Sequence, residues 1–179
     1  MKTLLKGGRV VSGSGVIAAD VLLEGETIAA VGPNLAADGA ETVDCTDKLL
    51  FPGFIDAHTH FDLEVAGTIT ADDFTTGSRA ALRGGTTTVI DFAAPDKGEP
   101  LHTGLQRWHR KADGKTACDY AFHMTIDDWN EGISAEIKEM VDGGIPTFKM
   151  YMTYPAMMMG EKDMYFALKR LKDVGGIVG

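Results

Sequence analysis

The sequence predicts an α/β protein: a small all-β portion over residues 1–50, then the front half of a (β/α)8 TIM-like barrel over residues 51–179. Three observations carry this expectation. Before residue 50, short β-branched and apolar runs are separated by Gly and Asn turns. After it, strand-like runs alternate with amphipathic runs at the ~30-residue spacing of a βαβ unit. Two histidines, His58 and His60, fall at the end of the first strand-like run of the second part. That is the end of a barrel strand on which active sites form.

Taken in order, "TLLKGGRVV", "GVIAADVLLEG" and "ETIAAVGPNL" read as strands of a meander, and "LAADGAETVDCTDKLL" returns the chain to the main body. Nothing in residues 1–50 carries chemistry, so a structural role is expected there. "GFIDAH" is the first strand of the second part, bounded by Pro52 and Gly53. "ADDFTTGSRAALRGG" follows as a helix that Asp72 or Asp73 caps and Gly84-Gly85 ends. The strands "TTTVIDFAA", "DYAFHMTI" and "IPTFKMYM" then alternate with the helices "LHTGLQRWHRKAD", "ISAEIKEMVDGG" and "EKDMYFALKRLKDVGG", and "IVG" opens a fifth strand. Such units imply a parallel sheet with right-handed crossovers. An open doubly wound sheet fits the same alternation, but it would place a glycine fingerprint after its first strand. "HTHFDLEVAG" contains neither that fingerprint nor a P-loop. A complete barrel takes ~250 residues, so this chain reads as the front of something longer.

Composition limits the function. A hydrophobic content of 44% and a charged content of 24% describe a globular protein with a real core. The formal net charge of −9, without a basic cluster, argues against a nucleic-acid or anionic-membrane partner. Cys45 and Cys118 lack C-x-x-C spacing, which points to a reducing compartment. The opening "MKTLLKGGRVV" is too short in apolar residues for a signal peptide, and no run reaches transmembrane length. A cytoplasmic protein is expected.

Two places carry chemistry. On a strand, side chains alternate faces, so His58 and His60 point the same way and can converge on one ion. In an extended Ile145–Met152, Ile145, Thr147, Lys149 and Tyr151 share one face, with Pro146, Phe148, Met150 and Met152 on the other. The apolar set suits packing against helices, which turns Lys149 inward. The plain reading is a lysine that snorkels or pairs with a carboxylate. Desolvation instead favours the neutral amine, nucleophilic enough to add carbon dioxide. The resulting carbamate is an anionic oxygen donor able to bridge two cations.

"PGFIDAHTHFD", "ADDFTTGSRAALRGGTTTVIDFA" and "GIPTFKMYMTY", in that order and spacing, resemble the dihydropyrimidinase/hydantoinase branch of the cyclic amidohydrolases. The resemblance spans essentially the whole chain. It implies a (β/α)8 barrel beside a small β-sandwich, of which residues 1–50 are a part, and a binuclear metal centre, usually zinc. By this resemblance His58 and His60 ligate one ion and carbamylated Lys149 bridges both. By the same resemblance Tyr154 looks like the tyrosine that hydrogen-bonds the oxyanion as a metal-bridged hydroxide attacks the cyclic amide. Leu63 and Val65 resemble positions that contact the ring's exocyclic substituent. His60 is followed by Phe61-Asp62-Leu63-Glu64, with no cation for a substrate carboxylate, which favours a neutral ring over dihydroorotate. The resemblance also implies two further histidines and a proton-shuttling Asp beyond residue 179, and a homotetramer when full length. The second reading is a truncated, non-catalytic fragment or scaffold related to these enzymes.

Other polar residues are expected to play lesser parts. His123 reads as an interior hydrogen-bonding residue, and His102 and His109 as solvated helix residues. Asp91 ends the second strand, where a purely structural part is favoured over a supporting role behind the site. Asp56 is expected to pack one layer below the histidines. Met157, Met158 and Met159 are expected to fill gaps or touch an apolar substituent.

Overall fold

The computed structural model describes residues 1–179, and the chain divides into two compact units, Met1–Phe54 and Ile55–Gly179. The first contains seven short strands: β1 (Lys2–Lys6), β2 (Arg9–Ser12), β3 (Gly15–Ala18), β4 (Asp20–Glu24), β5 (Thr27–Gly32), β6 (Glu41–Asp44) and β7 (Leu49–Leu50). They form two sheets with orders β5-β4-β1-β6 and β3-β2-β7. The expected meander is corrected here. β1 pairs antiparallel with β4 and parallel with β6, and β7 runs parallel to β2. The apolar pattern marks which residues extend but says nothing about their partners. Gly7, at φ 77°, turns the chain out of the first sheet before β2 begins. Its N–H donates to buried Asp20 Oδ1 at 2.8 Å, and the Leu35 N–H donates to Oδ2 at 3.0 Å.

The second unit follows the alternating pattern. Its elements are β8 (Phe54–Thr59), β9 (Glu64–Val65), β10 (Thr68–Ile69), α1 (Phe74–Arg83), β11 (Thr86–Ala93), α2 (Leu101–Ala112), β12 (Asp119–Thr125), α3 (Glu131–Asp142), β13 (Thr147–Lys149), α4 (Glu161–Val174) and β14 (Ile177–Val178). The sheet order is β14-β13-β12-β11-β8, and the three pairs from β11 to β14 are parallel. Each strand therefore lies beside its sequence neighbour, with no reversal of strand order. A doubly wound sheet has such a reversal, so these residues do not form one.

Local chemistry sets the helix ends. Asp73 Oδ1 accepts from the Thr76 N–H at 2.7 Å while the Asp73 N–H donates to Thr76 Oγ1 at 3.1 Å, a reciprocal cap. Asn130 Oδ1 accepts from the Ile133 N–H at 2.9 Å at the start of α3. Gly175 ends α4 at φ 79°, where a side chain would be strained. The apolar stripes of these helices cover one face of the sheet. Phe74, Leu101, Trp108, Ile137 and Leu171 pack with Phe122, Met124 and Phe148 in one core.

Two local features depart from expectation. The loop after β8 contains the β9–β10 hairpin, whose turn residues Ala66 and Gly67 both have positive φ, 51° and 75°. The fourth strand of this sheet is shorter than Ile145–Met152, because β13 ends at Lys149 and Tyr151 bridges instead to Met158 of its own loop.

Candidate functional site

Side-chain alternation sorts the sheet into a packing face and a chemical face. Thr59, Asp91, Phe122, Met124 and Phe148 point toward the helices. Phe92 and His123 are register partners, as are Thr125 and Lys149, and these residues share the opposite face with His58 and His60. The ring of Phe92 is the floor of this face. His58, His60 and His123 rings lie 4.7, 5.0 and 4.9 Å from it, and Lys149 Nζ lies 4.3 Å from its centroid.

The two sequence-predicted histidines converge. Their Nε2 atoms are 3.2 Å apart with the rings at 88°. Two imidazoles on a tetrahedral cation, with metal–nitrogen bonds of ~2.0–2.1 Å, would hold their nitrogens about 3.3 Å apart. Burial pushes the His60 imidazole below its ordinary value, with Lys149 and His58 adding to the effect and Asp91 opposing it. The shift favours the neutral ring, the form a metal requires. Its Nδ1 is buried without a protein partner. The donor set fits a soft-to-borderline divalent cation such as zinc. No third His, Cys, Asp or Glu completes a ligand cluster with the pair.

A cleft of about 770 Å³ opens beside these residues, lined by His60, Leu63, Val65, Phe92, Lys149 and Tyr154 among others. It thus brings together every predicted site residue except His58, which borders it through His60. Tyr154 is 65% exposed, at φ 66° in the turn after β13. Its carbonyl accepts the Met157 and Met158 N–H groups at 2.8 and 2.9 Å. Met159 is buried, and Met157 lines the cleft.

Several neighbours take definite roles. His123 donates from Nε2 to the Ala57 carbonyl at 3.0 Å, so its Nδ1 accepts from the Thr147 hydroxyl at 2.6 Å. Both its nitrogens are occupied, which removes it as a ligand. Ala57 and His123 stand on strands separated by β11, ~9–10 Å apart in a flat sheet, so this single bond marks the sheet as curled around its chemical face. Asp56 is exposed, and its carboxylate accepts the His58 N–H at 3.1 Å; the expected packing role is absent because β8 is an open edge. His102 contacts Glu139 at 2.7 Å and His109 contacts Asp113 at 3.0 Å.

Sequence reasoning missed the cations of the cleft. Lys97, Arg107 and Lys111 all line it, although none follows the H-x-H motif. Each is already engaged: Arg107 with Glu99 at 2.7 Å, Lys97 with the Met158 carbonyl at 3.2 Å, and Lys111 with the Asp62 carbonyl at 2.5 Å. For Arg107 and Lys111 the signal was present as basic residues on α2, whereas Lys97 lies in the loop before it. Thr125, with its hydroxyl buried and unpartnered, was also passed over.

The second unit is thus a curled, sequentially ordered α/β sheet with paired imidazoles at the C-terminal end of its first strand. The amidohydrolase family profile matches residues 49–123. The chain is 40% identical to a D-hydantoinase of Geobacillus stearothermophilus over 99% of its own length and 38% of that protein. It is 41% identical to a dihydropyrimidinase of Dictyostelium discoideum over 97% of its length and 35% of that protein. The crystal structure of a dihydropyrimidinase from Brevibacillus agri superposes with a TM-score of 0.96 at 41% identity, covering 99% of this chain and 39% of that one. The chain belongs to the dihydropyrimidinase/hydantoinase branch of the amidohydrolase family. It spans little more than a third of the relatives it matches. No helix is long and apolar enough to cross a membrane.

Proposed function

We propose that this chain is the N-terminal part of a metal-dependent cyclic amide hydrolase that opens dihydropyrimidine or 5-substituted hydantoin rings. The observation that carries this reading is the 3.2 Å separation of the His58 and His60 Nε2 atoms, beside a cleft lined by Lys149 and Tyr154. In this reading the curled sheet is the front half of a (β/α)8 barrel, and the two N-terminal sheets are part of a small β-sandwich. His58 and His60 hold one divalent cation, zinc by donor chemistry. Lys149, once carbamylated, would help to hold that cation and a second. When bound, the two cations acidify a water and polarise the ring carbonyl.

The reaction consumes one water. The carbonyl carbon gains a hydroxyl, its bond to the ring nitrogen breaks, and that nitrogen takes a proton. The Tyr154 O–H donates to the carbonyl oxygen as charge gathers on it. Leu63 and Val65 face the ring substituent. Because Lys97, Arg107 and Lys111 are each engaged within the protein, a neutral ring suits the cleft better than a carboxylated one. The acidic net charge supports a small-molecule partner rather than nucleic acid or membrane. Two unpaired cysteines suit a reducing cytoplasm, and a homotetramer follows from the family resemblance.

The test is turnover by the full-length protein of dihydrouracil, 5-substituted hydantoins and dihydroorotate, with metal content measured alongside. Ring opening of the first two, with dihydroorotate handled poorly, is expected. A full-length protein that binds metal but opens no ring would overturn this reading in favour of a non-catalytic scaffold.

A further inference from the structure

We infer that Asp91 is a positioning residue for His60, acting through the backbone and side chains on either side of it. This rests on the proposal that His58 and His60 hold a cation. Asp91 is 1% exposed and lies on the packing face of β11, so it does not touch the cleft. Its Oδ2 accepts from the Thr59 hydroxyl at 3.0 Å and from the Phe61 N–H at 2.8 Å. Those two residues flank His60. Its Oδ1 accepts from the Phe92 N–H at 2.7 Å and from Trp108 Nε1 at 3.1 Å.

All four partners are donors, and only an ionised carboxylate offers two acceptor oxygens to meet them. An amide would turn an NH2 group toward one of the two pairs and leave a buried donor facing a donor. The two oxygens divide the work. Oδ2 fixes the chain on both sides of His60, which leaves β8 at Thr59, while Oδ1 ties the carboxylate to its own strand and to α2. The Lys111 ammonium extends the hold by donating to the Asp62 carbonyl at 2.5 Å. Phe61 is seated in a notch over Gly77. His60 is thus bracketed on both sides by fixed neighbours, although its ring makes no bond that would orient it except toward His58.

The division between the oxygens gives a test that separates positioning from general stability. In the full-length protein, Thr59→Val removes one Oδ2 partner, and Trp108→Phe removes one Oδ1 partner while thinning the core. Unfolding midpoints in urea and zinc affinity in chelator competition are measured for both, for Asp91→Asn, and for a His60→Ala control. Positioning by Asp91 predicts that Thr59→Val and Asp91→Asn weaken zinc binding about 10–100-fold, as loss of outer hydrogen-bond partners does. It predicts that Trp108→Phe lowers the unfolding midpoint more than Thr59→Val does and leaves zinc affinity within a few-fold. Zinc affinity that follows stability across the three variants, or that is untouched in Thr59→Val, overturns the inference. Unchanged zinc binding in His60→Ala instead defeats the metal reading on which it rests.

Discussion

Phe61 rests on the bare backbone of Gly77: a Cβ at that glycine would fall 2.6 Å from Cδ1 and 2.7 Å from Cζ of the ring. In an exposed helix, Gly→Ala stabilises by roughly 1 kcal/mol. Here the sign reverses, because the ring cannot retreat without moving the segment that Asp91 holds. Gly77→Ala is expected to destabilise by on the order of 1–3 kcal/mol, the usual cost of overpacking. Urea unfolding checks this, and a rise in midpoint would show that Phe61 yields freely.

The imidazole pair makes a prediction about metal content. The full-length protein is expected to carry about two divalent ions per chain under the proposed function. His58→Ala or His60→Ala should each remove at least one. Elemental analysis decides it, and unchanged content in both variants counts against the site.

Tyr154 touches no structural partner through its hydroxyl, so Tyr154→Phe isolates that group. Loss of one oxyanion donor typically lowers kcat about 10²–10³-fold. The same drop is expected here for hydantoin or dihydrouracil, with little change in unfolding midpoint. A kcat within twofold of wild type would remove Tyr154 from the reaction.

How much of this was legible in sequence depends on which force sets each feature. The four helices declare themselves through amphipathic stripes, capping residues and glycine stops, all of which are local. His58 and His60 are two residues apart on a strand, so their convergence follows from alternation alone. Strand partners in residues 1–54 were not legible, because β1 meets β4 and β6 through contacts that no local pattern encodes. The β9–β10 hairpin was missed because its turn is Ala66-Gly67 rather than the usual Asn-Gly. Asp91 was legible as a charge in the apolar run "TTTVIDFAA", with a supporting role as one of its readings, but not its partners. Its four partners come from β8, the loop after it, its own strand and α2.

Tyr120 offers a pH test remote from the cleft. Burial first, and then its hydrogen bond to Asp113, push its phenol from an ordinary 10.0 up to about 12. A raised folded-state value means the neutral phenol favours the fold. That contribution is complete below pH 10 and is lost as pH rises toward 12. Ultraviolet titration of tyrosinate, assigned by difference against Tyr120→Phe, should show one late-titrating group. Asp113→Ala should lower its value without restoring 10.0, since burial remains.

Asp127 is buried on the cleft side of the β12 end, and burial raises its carboxyl above the ordinary 3.8 against its own backbone N–H and Lys97, with Asp128 and Asp96 adding to the rise. Its charged form therefore costs the folded state stability as pH climbs through that raised value. Asp127→Asn is expected to raise the urea midpoint at pH 7. The advantage should fade as the pH falls to 3.8. A variant less stable than wild type at pH 7 would reveal a partner for the carboxylate.

The sequential strand order of the second unit also governs how the chain finds its fold. Every strand of the sheet β14-β13-β12-β11-β8 is hydrogen-bonded to the strand of that sheet next to it in sequence, so no pairing waits for a distant segment. Closing each intervening loop carries a similar, logarithmically growing entropic cost. On a ribosome delivering ~5–20 residues per second, each strand and helix can dock on the one before it within seconds of emerging. The Asp91 clamp can close as soon as α2 arrives, before β12 or Lys149 has joined the sheet. His60 would then be set in place early in synthesis, waiting for the residues that share its face.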